Sequence, residues 1–140
     1  MSISDKSHLK NKIITKLRLM TREWEPIIQA EKNATVDSAT VECALCGTYV
    51  YKGDSSKSLQ KLKDKYPSKN VIKCTIYRDH ILPAVPVDKS QLEMSYDELV
   101  ESHFCDISNI QCLCKKCHDC KTKQETSLRK NNRKVRRESV

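Results

Sequence analysis

A chain of 140 residues with 38% apolar content and only seven Phe, Tyr or Trp residues can bury one small core and little more, so something beyond apolar packing must staple it. No stretch approaches the roughly 18 apolar residues of a membrane span, and Met1 to Lys12 lacks the apolar core of a signal peptide. No membrane partner is expected, and the expected compartment is the cytoplasm, where disulfides rarely persist. The net charge of +8 is unevenly placed: residues 115–140 hold ten basic side chains against three acidic, and residues 34–114 hold nine against eleven. A terminus so one-sided fits a polyanion.

In chain order, Ser7 to Trp24 reads as an amphipathic helix with Leu9, Ile13, Leu17, Met20 and Trp24 on one face. Pro26 opens a second short helix, to about Asn33. Asn33 to Thr40 reads as a linker. Val41 to Tyr51 reads as a β-hairpin whose turn, Cys43-Ala-Leu-Cys46-Gly47, has the form of a zinc knuckle. Residues 53–70 form an insertion with a lysine-rich helix over 58–66. Val71 to Tyr77 predicts one strand running into Arg78-Asp79-His80, and Pro83 and Pro86 make 81–88 a loop. Ser95-x-x-Glu98 is a capping box opening a helix through Phe104. Ser108 to Leu113 predicts a second strand, and Lys116 onward a helix that frays after about Lys130 into a basic tail.

Eight cysteines in a reducing compartment read as metal ligands before bridges. Cys43 and Cys46, with Cys114 and Cys117, make two C-x-x-C pairs, the ligand set of a structural, tetrahedral Zn²⁺. Cys117 and Cys120 share that spacing, so Cys120 is an alternative ligand. Cys74, Cys105, Cys112 and Cys120 are read as free thiols, small and partly buried. A redox role is disfavoured, because no thioredoxin-like βαβ pattern surrounds the pairs. A second constellation is Asp79, His80, Asn109 and His118: an Asp-His pair ends one strand, an Asn opens the next, and a His follows the second knuckle into a helix. A strand–strand–helix unit would let the four converge.

These residues resemble the HNH endonucleases, whose fold is the ββα-metal or His-Me finger. Asp79-His80-Ile81, Asn109 and Cys114-Lys-Lys-Cys117-His118 match the family's three motif positions in order, and Cys43-x-x-Cys46 matches its zinc-bound subgroup. The stretch Asn109 to Thr122 is most similar to small phage-encoded HNH proteins described as homing endonucleases. The resemblance covers about 41–123. It implies an α+β fold: a ββα-metal core stapled by a four-cysteine zinc site, N-terminal helices over 1–40, and a basic C-terminal helix or tail over 124–140.

The resemblance also implies roles. His80 is the general base, Asp79 and His118 hold a catalytic Mg²⁺ or Mn²⁺, and Asn109 steadies the loop behind His80. The substrate is double-stranded DNA, met in a host cytoplasm if the gene is phage-borne. Charge and position add Arg78, Lys121, Lys123, Arg129, Lys130, Arg133, Lys134, Arg136 and Arg137 as DNA contacts, with Arg129 or Asn132 reaching bases if the last helix enters a groove. Two alternatives stand beside this reading: a zinc-stapled nucleic-acid-binding module without catalysis, and an HNH nuclease used in packaging or restriction. Monomer and homodimer are equally compatible with the sequence.

Overall fold

The chain enters its first helix at Ser2, whose hydroxyl accepts from the Asp5 amide while the Asp5 carboxylate accepts from the Ser2 amide. The structure, a computed structural model, describes residues 1–138. This box starts the helix well ahead of the expected Ser7. The helix, α1, spans Ile3–Met20. A 3-10 turn, Thr21–Glu23, leads to α2, Glu25–Ala34, with Pro26 in its first turn, where a missing amide costs nothing.

The buried face of α1 differs from the expected stripe. Ile14 and Leu17 pack on Leu99 and Met94, while Leu9 and Met20 are exposed. The helix is rolled toward Lys10, whose ammonium donates to the carbonyls of Leu92 and Met94. Trp24 lies past the helix, where its ring edge meets Phe104 at 5.3 Å and its indole N–H donates to the Cys105 carbonyl at 2.9 Å.

The expected linker is partly strand. β1 (Thr35–Asp37) pairs antiparallel with β2 (Thr40–Glu42), through a turn in which Ala39 takes φ of 50°. Thr35 and Val36 favour extended backbone, and the turn needs only Ser38 and Ala39. β2 then pairs antiparallel with β3 (Tyr49–Tyr51). The insertion carries α3 (Ser56–Lys65), after which β4 (Val71–Lys73) joins the sheet parallel to β3.

The single strand expected from Val71 into His80 is two. β4 closes the first sheet, and β5 (Tyr77–His80) opens a second, two-stranded one. Cys74 and Ile76, between them, pack against Val50 and Leu113, and this packing turns the chain. β-branched residues stand on both sides, Val71 and Ile72 before and Thr75 and Ile76 after, so nothing local marks the break.

α4 (Tyr96–His103) begins at the expected capping box of Ser95 and Glu98. β6 (Ile110–Leu113) runs antiparallel to β5, with Asp79 opposite Gln111 and His80 opposite Ile110. α5 (Lys115–Glu138) follows after one residue, Cys114. It stays helical past Lys130 because three side chains tie its far half to neighbouring segments. Arg129 donates to Val85 O at 2.7 Å, Asn132 to Val87 O at 2.9 Å, and Arg136 to Glu93 at 2.7 Å. The end of the expected tail, residues 139 and 140, lies outside the described residues.

The outcome is an α+β fold of five helices and two small sheets among the described residues. Most of its buried apolar side chains fall in three small clusters. Leu99 with Ile14 and Leu17 joins α1 to α4, Tyr51 with Leu62 and Val71 seats α3, and Val50 with Leu113 surrounds Cys43 and Cys114. The last cluster buries cysteine sulfur where a larger protein would bury aliphatic carbon. No helix of the described residues is long and apolar enough to cross a membrane.

Candidate metal centre and adjoining cleft

Two turns aim the four sulfurs. In the first, Gly47 N donates to Cys43 O at 3.0 Å and Cys43 N to Thr48 O at 2.8 Å. The turn closes because Gly47 adopts φ of 74°, which a side chain would resist. Ala44 N donates to Cys112 O at 2.9 Å, which pins this turn to β6. In the second, Cys114 stands just before α5 and Cys117 lies in its first turn, where free amides and the helix dipole favour thiolate.

The Sγ atoms of Cys43, Cys46, Cys114 and Cys117 all lie within 4.8 Å of one another. Cys46 and Cys114 are 3.7 Å apart. A tetrahedron with Zn–S bonds of about 2.3 Å has edges of about 3.8 Å, so four cysteines this close can hold a structural zinc. Of the described residues, no other group of three or more His, Cys, Asp or Glu side chains is gathered this way. Cys120 is exposed and lies outside the cluster; half-buried Cys74 and Cys105 and buried Cys112 lie outside it too.

The thiols of the cluster are not equivalent. The hydrogen bond between Cys46 and Thr48 Oγ1, at 3.2 Å, helps hold the Cys46 thiol down to about 6. Burial pushes Cys114 and Cys117 up; neighbouring thiols add to the effect at Cys117, whereas at Cys114 hydrogen bonds with Cys117 oppose it. Burial also pushes the free thiol of Cys112 up to about 11.

Beside the cluster, β5 and the first half of α5 form one wall of an open cleft of about 470 Å³. His80, Asp79 and His118 all line it, with His103 and Thr21. His80 Nε2 bonds the His103 carbonyl at 2.9 Å. A neutral ring donating there carries its lone pair on Nδ1. His118 stacks on Tyr77, with centroids 4.2 Å apart and planes 9° from parallel. Its Nδ1 is buried with no hydrogen-bond partner, and Asp119 stands off at 3.7 Å.

Asn109 is near the cleft rather than in it. Its carboxamide bonds the backbone of Leu82 twice, and its own carbonyl accepts from Ile81 N at 2.8 Å. Those bonds hold the two residues that follow His80.

Lys121, expected as a DNA contact, is only 17% exposed and sits inside the cleft. Its ammonium lies 2.9 Å from Asp79, bonds Glu125, and donates to His80 O at 3.0 Å. Burial works against its charge, but the bonds to Glu125 and Asp79 outweigh it, and its pKa is raised. Among the other expected DNA contacts, Arg78 lines the cleft while Lys123, Lys130, Arg133, Lys134 and Arg137 are exposed. Arg129 and Asn132, the candidate base readers, bond loop carbonyls, and Arg136 pairs with Glu93.

Sequence reasoning missed His103, which is 2% exposed and whose carbonyl orients His80. No sequence signal could have found a bond made by the backbone. It also missed the part Glu125 plays. His118, Lys121 and Glu125 recur at helical spacing on one face of α5, and that period was legible. A separate cavity of about 300 Å³ between Asp37, Tyr51 and Lys65 contains none of the candidate residues. Compared with family models, curated proteins and solved structures, the chain shows no significant match to any of them.

Proposed function

We propose that this chain is a metal-dependent endonuclease of the HNH type that hydrolyses phosphodiester bonds in double-stranded DNA. The observation that carries the reading is one cleft shared by His80, Asp79 and His118, built on an antiparallel strand pair that leads directly into a helix. That order supports a ββα-metal core, with Zn²⁺ in the four-cysteine cluster holding its two ends together.

His80 is the general base. Its Nε2–H is committed to the His103 carbonyl, so Nδ1 is the atom that takes a proton from water. Asn109 positions it by fixing Ile81 and Leu82. The loop that follows His80 is held from its other side by Arg129, so the base stands on restrained backbone.

Asp79 and His118 are the protein ligands for a divalent cation, Mg²⁺ or Mn²⁺. The donors fit. His118 Nδ1 is a buried nitrogen with no hydrogen-bond partner, Asp119 standing off at 3.7 Å, and the Asp79 carboxylate already attracts a cation, the Lys121 ammonium. Phosphate oxygens and water would complete the shell. When bound, such an ion stabilises charge on the phosphoryl group.

Nicking of supercoiled plasmid tests the reading. Cleavage should require Mg²⁺ or Mn²⁺ and vanish in His80→Ala while zinc content and melting persist. Full cutting by His80→Ala would remove the assigned base.

One observation favours a second reading, a zinc-stapled nucleic-acid-binding module without catalysis. The Lys121 ammonium sits on the carboxylate that the metal would need. DNA binding with no nicking at any divalent concentration would select it. Within the nuclease reading, the likeness of residues 109–122 to phage homing enzymes makes homing the narrower proposal. A homing enzyme cuts a genome that lacks its gene and spares its own, whereas packaging and restriction enzymes show other patterns.

A further inference from the structure

α5 does not carry its arginines as a diffuse tail. Arg129, Arg133 and Arg136 recur at helical spacing and face a pocket of about 260 Å³. The opposite side of that pocket is built by Arg18, in the last turn of α1, and by Lys89, at the end of the proline-containing loop. Five cationic side chains from three distant parts of the chain therefore surround one concavity. Folding them together opposes like-charge repulsion, which a ligand of opposite charge would relieve.

One of the five, Arg136, pairs with Glu93 at 2.7 Å. Arg129 gives one N–H to Val85 O, and its Nε is buried with no partner. Arg18, Lys89 and Arg133 enter no ion pair among the described residues, and all three are exposed. The pocket also adjoins the cleft described above: Arg18, Val85 and Arg129 line both. The shared wall makes a continuous track from the His80 cleft to the cationic pocket.

We propose that this pocket is a phosphate seat for the DNA backbone, holding a phosphodiester on the same strand segment that enters the His80 cleft, with α1 acting as one jaw through Arg18. The proposal rests on the nuclease reading for the identity of the strand, but the seat itself is a matter of binding. Arginine suits it, because planar N–H pairs match phosphate oxygens. The seat sets register and affinity and reads no sequence.

The test is DNA binding across a salt series with full-length His80→Ala protein, which keeps cleavage out of the measurement. Arg18→Gln with Arg133→Gln is compared with a control of equal charge loss, Lys57→Gln with Lys63→Gln, on remote α3. For each phosphate left without its cation, the slope of log K against log salt should fall by about 0.9, and binding should weaken about equally for unrelated sequences. The control should keep the parent slope. Equal slopes for the two double variants, with both melting as the parent does, would overturn the seat and leave the nuclease reading intact. A slope change in the pocket variant without plasmid nicking by wild type would keep the seat and remove the nuclease. Competition by inorganic phosphate without any slope change would mark a small-anion site and also overturn the proposal.

Discussion

Asn109 holds Leu82 by both ends of its carboxamide: Oδ1 accepts from Leu82 N at 2.9 Å, and Nδ2 donates to Leu82 O at 3.1 Å. This is a strand-like pairing made by a side chain. It extends the β5–β6 pairing one residue past the backbone bond from Ile81 N to Asn109 O. Asn109→Ala removes both bonds and should cost about 1 kcal/mol in stability, because the bonds are exposed to water. On the nuclease reading the nicking rate should fall by more, about a hundredfold, because a small misplacement of a reacting group can cost that much and this restraint lies beside the proposed base. Asn109→Asp keeps the acceptor and should fall between the two. Parallel loss of melting temperature and rate, with no excess in rate, would reduce Asn109 to a structural role.

The four-cysteine cluster carries a stability prediction. With most apolar burial split into three small groups, a zinc ion held by the four cysteines would supply what the core lacks. Cys43→Ser and Cys117→Ser should each release zinc and lower the melting temperature sharply. Structural zinc contributes on the order of 10–16 kcal/mol of apparent binding energy at neutral pH, and three ligands hold far less. Cys120→Ser should leave zinc content and melting unchanged, since Cys120 stands outside the cluster. Metal analysis of the purified variants, with their melts, checks both statements.

On the metal assignment proposed above, Lys121 and a divalent ion would compete for Asp79. The ammonium is 2.9 Å from the carboxylate and is further held by Glu125 and the His80 carbonyl. Lys121→Met should therefore tighten Mn²⁺ binding, read by calorimetry on zinc-loaded protein, and lower the Mn²⁺ needed for half-maximal nicking. Weaker Mn²⁺ binding in Lys121→Met would show that the ammonium organises the carboxylate instead of blocking it.

His103 gives the fold a pH dependence. Burial lowers its pKa, and the nearby charge of Arg18 pushes the same way, while its bond to the Leu99 carbonyl opposes them. The sign follows from the unfolded chain, where imidazole titrates near about 6.5. Below that pH the unfolded state takes up a proton that the buried ring refuses. Stability should then fall as pH drops, by at most about 1.4 kcal/mol per unit, until the buried ring itself protonates. His103→Gln should flatten this part of the profile. It leaves the carbonyl that orients His80 in place, so nicking near neutral pH should survive. An identical melting profile in wild type and variant from about pH 7 down to about pH 5 would assign the dependence elsewhere.

Part of this protein is legible in its sequence alone. The two C-x-x-C pairs could be matched to one cluster because ligand spacing is a local property, and a turn of four residues aims two sulfurs wherever it sits. The capping box of Ser95 and Glu98 and the proline in the first turn of α2 are equally local. Other features depended on what lies across from them. The stripe on α1 has helical period, but which flank is buried was decided by α4 and by the Lys10 ammonium. The break between β4 and β5 follows from Cys74 and Ile76 packing into the sulfur cluster, which period-2 patterning does not encode.

The cleft shows the same division. Sequence alone put His80 at a strand end and His118 in the first turn of a helix, because those are statements about neighbours along the chain. It read Lys121 as a surface cation, since charge and amphipathic period say nothing about which carboxylate stands opposite. Only the tertiary structure brought Lys121 to Asp79, the His103 carbonyl to His80, and Arg18 across to Arg133. Each of those meetings joins segments far apart in sequence. Their energy comes from long-range packing and electrostatics, which residue order constrains only through the whole fold.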